Sequence, residues 1–379
     1  QYEWYNLRQI TNWKKYYEVI QSVNILISKL EEGIPGVSES EKTRYIAESK
    51  FIRSFTYFWM VRLYGDVPYY TDAYHTQALA RENMVSVLNK CIEDLMPEKD
   101  KMPWNFSDPA LRGARPAKGA IIALLMHMNM WNSAFDNQNK QKYLSATSAL
   151  GSELISSRQH VLVGPFNDQN WATVTKGRSE ESLFEFYRSI NYGDNVAALA
   201  PFWDHFLRWP YKFPRYTNQR SHCYFISTYM DKIYPESDAD KRRELWFEDI
   251  TSDNGQFVLR KFGTNVYASG NEDKNPDNSF IIFRYADAIL LYAEALAEMG
   301  NKDAEAIRAV NLVRARAEAT PYSGSGGADL KDFIFMERCR ELIGEGHRYF
   351  DLIRTKRIMN AEWTMSPLSL DQFNRGGWT

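Results

Sequence analysis

Cysteine is scarce in this chain of 379 residues. Cys91, Cys223 and Cys339 lie far apart, are odd in number and form no CxxC pair. That excludes a disulfide framework and leaves buried free thiols as the reading. Long apolar runs are missing as well. Nothing approaches the ~18 residues of a membrane-spanning helix, and Ala120 to Met126 fits a core helix. An excess of one charge is also missing: Lys and Arg number 46, Asp and Glu 48, for a net charge of -2. This argues against nucleic acid as a partner and against a polybasic membrane patch. Gly (20) and Pro (14) are too few for a collagen-like or linker-dominated chain. The opening Gln1-Tyr2-Glu3-Trp4-Tyr5 has no basic stretch followed by an apolar one, so no signal peptide is expected there.

Motifs of chemistry are equally thin. The six His never pair as HxH or HExxH, and there is no GxSxG elbow, P-loop or GxGxxG. No catalytic residue, resident metal or cofactor is therefore expected. Asp238-Ala239-Asp240 and Asn271-Glu272-Asp273 look like fragments of calcium loops, without Gly at position six or Glu at twelve.

What the chain has is aromatic residues: 23 Tyr, 21 Phe and 11 Trp. In the first part, 1–157, they fall at helical spacing. Trp13, Tyr16, Tyr17, Ile20, Val23, Asn24, Ile27 and Leu30 form one stripe. Ser38 or Ser40 can cap a second helix running to about Tyr64, which Gly65-Asp66-Val67-Pro68 stops, with Asp66 expected to hold a local turn. Further helices are predicted over 82–96, 118–133 and 139–157. Between 158 and 280 the periodicity disappears and aromatics stand singly among Gly, Pro, Asn and Asp. This part reads as an irregular lobe with short strands. From 281 to 379 helices return. Tyr285 to Ala297 ends at Gly300, Ile307, Val310 and Val313 carry its partner helix, and Asp329 can cap a last long helix. The fold class is mainly α: tetratricopeptide-like helix pairs form a scaffold for a loop-rich lobe, within one domain spanning 1–379.

Four segments then carry a resemblance. They are Glu48 to Pro68 with its terminal GDVP, Phe283-Arg284-Tyr285-Ala286-Asp287 to Ala295, Val310-Asn311-Leu312-Val313-Arg314-Ala315-Arg316-Ala317, and Glu337-Arg338-Cys339-Arg340-Glu341 through Gly346-His347-Arg348-Tyr349-Phe350-Asp351-Leu352. In type and order they resemble the SusD/RagB family. The charged residues in these blocks read as inter-helix ion pairs and caps. The resemblance implies a lipid-anchored outer-membrane protein at the surface of Gram-negative bacteria. Such proteins bind oligo- or polysaccharide and hand it to a SusC-like TonB-dependent transporter, without catalysis. The N-terminal lipid anchor is implied by the resemblance alone and is not in this chain.

Specificity is then expected in the lobe. A sugar ring offers an apolar C–H face that packs on an indole or phenol, while neighbouring polar groups bond its hydroxyls. Trp203, Trp209, Tyr211 and Tyr216 lie within fourteen positions, with Arg220 among the nearby donors. Trp4 and Trp171 are further candidates. A helical glycan-cleaving enzyme and a tetratricopeptide-like protein-interaction scaffold are the alternative readings.

Overall fold

A computed structural model describes residues 12–188, 202–212, 215–267, 274–276 and 278–364. The helices are α1 Lys14–Glu32, α2 Glu39–Tyr64, α3 Met84–Leu95, α4 Lys118–Phe135, α5 Lys140–Ser157, α6 Thr173–Lys176, α7 Ser227–Ile233, α8 Lys241–Leu245, α9 Tyr285–Met299, α10 Asp303–Arg316, α11 Ala328–Glu341 and α12 Arg348–Arg354. Short strands make three antiparallel pairs: β1 Ser182–Phe186 with β6 Phe280–Arg284, β2 Phe247–Glu248 with β3 Val258–Leu259, and β4 Asn265–Tyr267 with β5 Lys274–Pro276. No helix among the described residues is long and apolar enough to cross a membrane.

The scaffold follows the sequence stripes. In α1, Ile20, Asn24, Ile27 and Leu30 are buried against α2. Ser38 starts α2 with a capping box, its hydroxyl accepting from the Glu41 amide while the Glu41 carboxylate accepts from the Ser38 amide. Helices pair in sequence, α1 with α2, α4 with α5 and α9 with α10, and α9 packs across α5. That last contact depends on Gly151. A Cβ there would sit 2.7 Å from Cβ of Tyr292, an atom at the root of its side chain. Gly151→Ala should therefore lose ~1–2 kcal/mol through overpacking, although alanine is the better helix former. Urea melts of the two proteins measure this, and equal or higher stability of the variant would refute the close contact.

Three local expectations change. The Asp66 carboxylate holds no turn of its own; it accepts from the Met84 amide at 2.9 Å and ties the end of α2 to the start of α3. Asp329 does not cap α11: the helix starts at Ala328 after Gly327, whose amide donates to Asp303 of α10 at 2.8 Å. Phe283 and Arg284, which sit in a helical family block, end strand β6, and the helix begins at Tyr285.

The lobe has a core of its own. Trp203, Phe206, Met230, Tyr234, Trp246, Phe257 and Phe262 are buried together with Cys339 and Ile343 at the end of α11. Ion pairs lock it to the scaffold. From the lobe come Asp238, Asp240, Arg242 and Lys261; from the helices and the turn after α11 come Arg314, Arg316, Glu337, Glu341 and Glu345. Arg284 joins Glu181, Glu341 and Glu345. A second network runs from His127 through Asp287, Arg338, Asp351 and Arg354 to Glu294. The carboxylates of Asp238 and Asp240, the calcium-loop fragment, are thus taken by guanidiniums; the fragment at 271–273 lies outside the described residues.

Buried histidines make this interior sensitive to acid. Burial pushes the pKa of His160 and of His347 down to about 4, and lowers that of His127. The unfolded chain takes up protons near pH 6.5 that the folded chain refuses. Stability is therefore complete above 6.5 and falls as pH drops from 6.5 towards 4, by up to ~1.4 kcal/mol per unit for each group. Asp287, Glu341 and Glu345 are held below the usual carboxylate range and add their loss only at lower pH. Denaturant midpoints at pH 7, 6 and 5 should fall in that order; a flat series would contradict neutral burial.

Candidate functional site

The loop from Phe202 to Arg220 leaves the lobe core and returns to it. Its first turn is 3₁₀-helical and buries Trp203 and Phe206. The Trp209 amide donates to the Asn218 carbonyl at 2.7 Å and the Tyr211 amide to the Arg208 carbonyl at 2.8 Å, which closes the loop as a platform. On that platform Trp209 is 37% exposed and Tyr216 78% exposed. The Arg215 guanidinium stands 4.5 Å from the Trp209 ring centroid.

Polar groups border the rings. Arg208 donates to the Gln256 carbonyl at 2.8 Å, to the Trp209 carbonyl at 3.0 Å and to Asp249 at 2.9 Å. Its charge lies 3.6 Å from Glu248, which also accepts from the Tyr211 hydroxyl. Burial, then the Glu248 carboxylate, push the Tyr211 pKa up to about 12, so its phenol stays protonated. Trp171 is half-buried. Its carbonyl accepts from the Trp246 indole at 2.8 Å, and Arg260 covers its ring at 4.5 Å. Arg220 is exposed, its Cβ 3.2 Å from where a Cβ on Gly255 would stand. The result is a strip of flat rings interleaved with guanidiniums and carboxylates.

Trp203 is not on that strip. It is 4% exposed and stacks on Phe262, with centroids 4.9 Å apart and planes 13° apart. Its open edge lines a separate recess between the lobe, α2 and the turn before α12. Removing Trp203 would therefore cost folding energy, ~3–5 kcal/mol for a buried Trp→Ala, and it is no clean probe of ligand contact. Trp4 lies outside the described residues.

One group of metal-ligand type converges among the described residues. The nearest atoms of His127, Asp287 and His347 lie within 4.8 Å of one another. No sequence motif announces it, because the residues come from three elements far apart in the chain. Asp287 is already engaged, accepting from His127 at 2.7 Å and from Arg338 at 2.9 Å. With Arg338 in contact, an added cation is opposed, and the cluster reads as a hydrogen-bonded network under the recess.

The fold and sequence can now be set beside known proteins. A SusD homolog from Bacteroides thetaiotaomicron is 37% identical to this chain, covers 97% of it and 78% of its own length, and superposes with a TM-score of 0.86. The chain belongs to the SusD family. A family model described as SusD family matches residues 224–376, and one described as starch-binding, associating with outer membrane, matches residues 1–129. A SusD-like protein of Formosa agariphila is 26% identical over 95% of this chain and 75% of its own. The surface glycan-binding protein A of Bacteroides thetaiotaomicron, solved in complex with laminarihexaose, shares the fold at TM-score 0.70 and 23% identity, covering 95% of this chain and 80% of that one. The mainly helical SusD fold with a loop-rich lobe is thus the architecture of this protein.

Proposed function

We propose that this SusD-family protein binds oligo- or polysaccharide on its lobe, residues 158–280, at the outer-membrane surface. It then hands the glycan uncut to a SusC-like TonB-dependent transporter. A lipid on a preceding N-terminal segment would tether it there. The observation that carries the reading is the exposed platform of Trp209 and Tyr216 flanked by Arg208, Arg215 and Glu248. Indole and phenol faces suit the C–H faces of pyranose rings, and the bordering donors and acceptors suit their hydroxyls. The lobe is anchored by buried ion pairs, so the platform is held in place before ligand arrives, which limits the ordering cost of binding. Two relatives point the same way: the family model described as starch-binding, and the laminarihexaose complex of the glycan-binding protein.

The carboxylates on the strip, Glu248 and Asp249, are both engaged by Arg208 or Tyr211, an arrangement that favours binding over acid–base chemistry. Affinity gels with starch, laminarin, xylan and pectin, together with a reducing-end assay on the same mixtures, test the reading. Retarded migration with at least one glycan and no new reducing ends is expected. New reducing ends would make the protein a glycan-cleaving enzyme, and no retardation by any glycan would refute the assignment.

A further inference from the structure

The recess that Trp203 borders has a chemistry of its own. It measures about 240 Å³, below the roughly 300–1,000 Å³ of sites for drug-sized ligands, so it fits one ring better than a chain. Trp59, Phe202, Trp203 and Phe280 supply aromatic walls, with Phe202 57% exposed and Phe280 37% exposed. Arg62 lines the recess too. Its guanidinium is packed 4.0–4.1 Å from the ring centroids of Phe58, Trp59 and Phe350.

That guanidinium differs from the cations packed near it. Its Nε is buried without a hydrogen-bond partner. No described residue forms an ion pair with it, whereas the other cations close by are committed: Arg284 to Glu345 and Glu341, Arg338 to Asp287 and Asp351, and Arg354 to Glu294. The carboxylates around the recess are committed to those same cations. Glu345 serves Arg284 and Lys261, and Asp287 and Asp351 serve Arg338. His347, which also lines the recess, stays neutral at pH 7 because burial holds its pKa at about 4. A guanidinium presents a planar fork of donors that matches a carboxylate or a sulfate. Here that fork lies beside aromatic walls, with no hydrogen bond to it among the described residues.

We propose that the recess is a second binding site, taking a pyranose that bears an anionic group: the carboxylate or sulfate meets Arg62, and the ring lies between Trp59, Phe202 and Phe280. The ring half of this inference rests on the carbohydrate reading; the charge half does not. The site would let the protein distinguish acidic from neutral glycans at one residue, apart from the Trp209 platform.

Tryptophan fluorescence reports on it, since Trp59 and Trp203 are in its walls. The full chain is titrated with glucuronate, glucose 6-sulfate, glucose and acetate, alongside Arg62→Met and Phe202→Ala. At least tenfold tighter binding of an anionic sugar than of glucose is expected. The preferred one of the two assigns the group as carboxylate or sulfate. Arg62→Met should abolish the preference, and Phe202→Ala should weaken binding at least threefold with unchanged thermal stability. If Arg62→Met does not fold, the preference of the parent chain for an anionic sugar over glucose still tests the charge half, and Phe202→Ala tests the ring half. Equal binding of glucose and the anionic sugars, or binding unaffected by both substitutions, would overturn the proposal. Acetate binding as tightly as glucuronate would overturn its sugar half. Retention of neutral polysaccharide in gels is read on the Trp209 platform and is independent of these titrations, so the two assignments can fail separately.

Discussion

Glu341→Ala is expected not to accumulate as a folded protein. Glu341 is fully buried and accepts from Arg242 and Arg284 at 2.7 Å each and from Arg316. Burial alone would raise its pKa, yet the guanidiniums of Arg316, Arg284 and Arg242 hold it far below the usual carboxylate range. Without it, Arg242 keeps Asp240 and Glu337, Arg284 keeps Glu181 and Glu345, and Arg316 keeps Glu181, but the interior holds one more uncompensated positive charge. Breaking a buried ion pair by deleting one partner costs ~3–5 kcal/mol. A domain's whole stability is ~5–15 kcal/mol, and this deletion removes the one carboxylate that three guanidiniums share. Glu341→Gln keeps the volume and an acceptor oxygen and should lose less. Soluble yield and guanidinium-chloride midpoints measure both. A Glu341→Ala midpoint within a few tenths molar of the parent would show that the network does not hold the lobe to the scaffold.

The second large effect is on binding. In the double variant Trp209→Ala/Tyr216→Ala, both rings removed are exposed, so the melting temperature should stay within ~2 °C of the parent. Affinity for the retained polysaccharide should fall at least tenfold, about 1.4 kcal/mol, because a few aromatic anchors carry most of the energy of such sites. Tyr211→Phe is the control. It keeps the ring and gives up the bond to Glu248, and it should cost less than the double variant. Unchanged retention of the double variant would remove the platform from the account.

Most of the scaffold could be read from the sequence because its cause is local. The α1 stripe, the Ser38 box and the Gly65 and Gly300 stops are written within a few residues of where they act. Strands β1 and β6 could not be read so easily. Leu183-Phe184 and Phe280-Ile281-Ile282-Phe283 are apolar runs too short to tell strand from buried helix, and they pair across almost a hundred positions. The ion-pair network was half visible. The family-block charges were legible as structural, but their partners Arg242, Lys261 and Glu181 are distant in sequence: Arg242 meets Glu341 99 positions away. The lobe aromatics show the same limit. Nothing in the local sequence separates Trp203, sealed against Phe262, from Trp209, half open six residues later, since the difference is made by Phe206, Phe257 and Phe262 closing a second core. Arg62 sits in a helical run of apolar residues, and only the packed structure shows its Nε buried without a hydrogen-bond partner.

A crystal structure of the protein with an oligosaccharide cut from a polysaccharide that it retains decides where the glycan sits. Sugar rings should lie flat on Trp209 and Tyr216, with hydroxyls bonded to Arg208, Arg215 or Glu248 and with the lobe backbone where it is now. An oligosaccharide seated on the helical scaffold, with both of those rings bare, would contradict that placement.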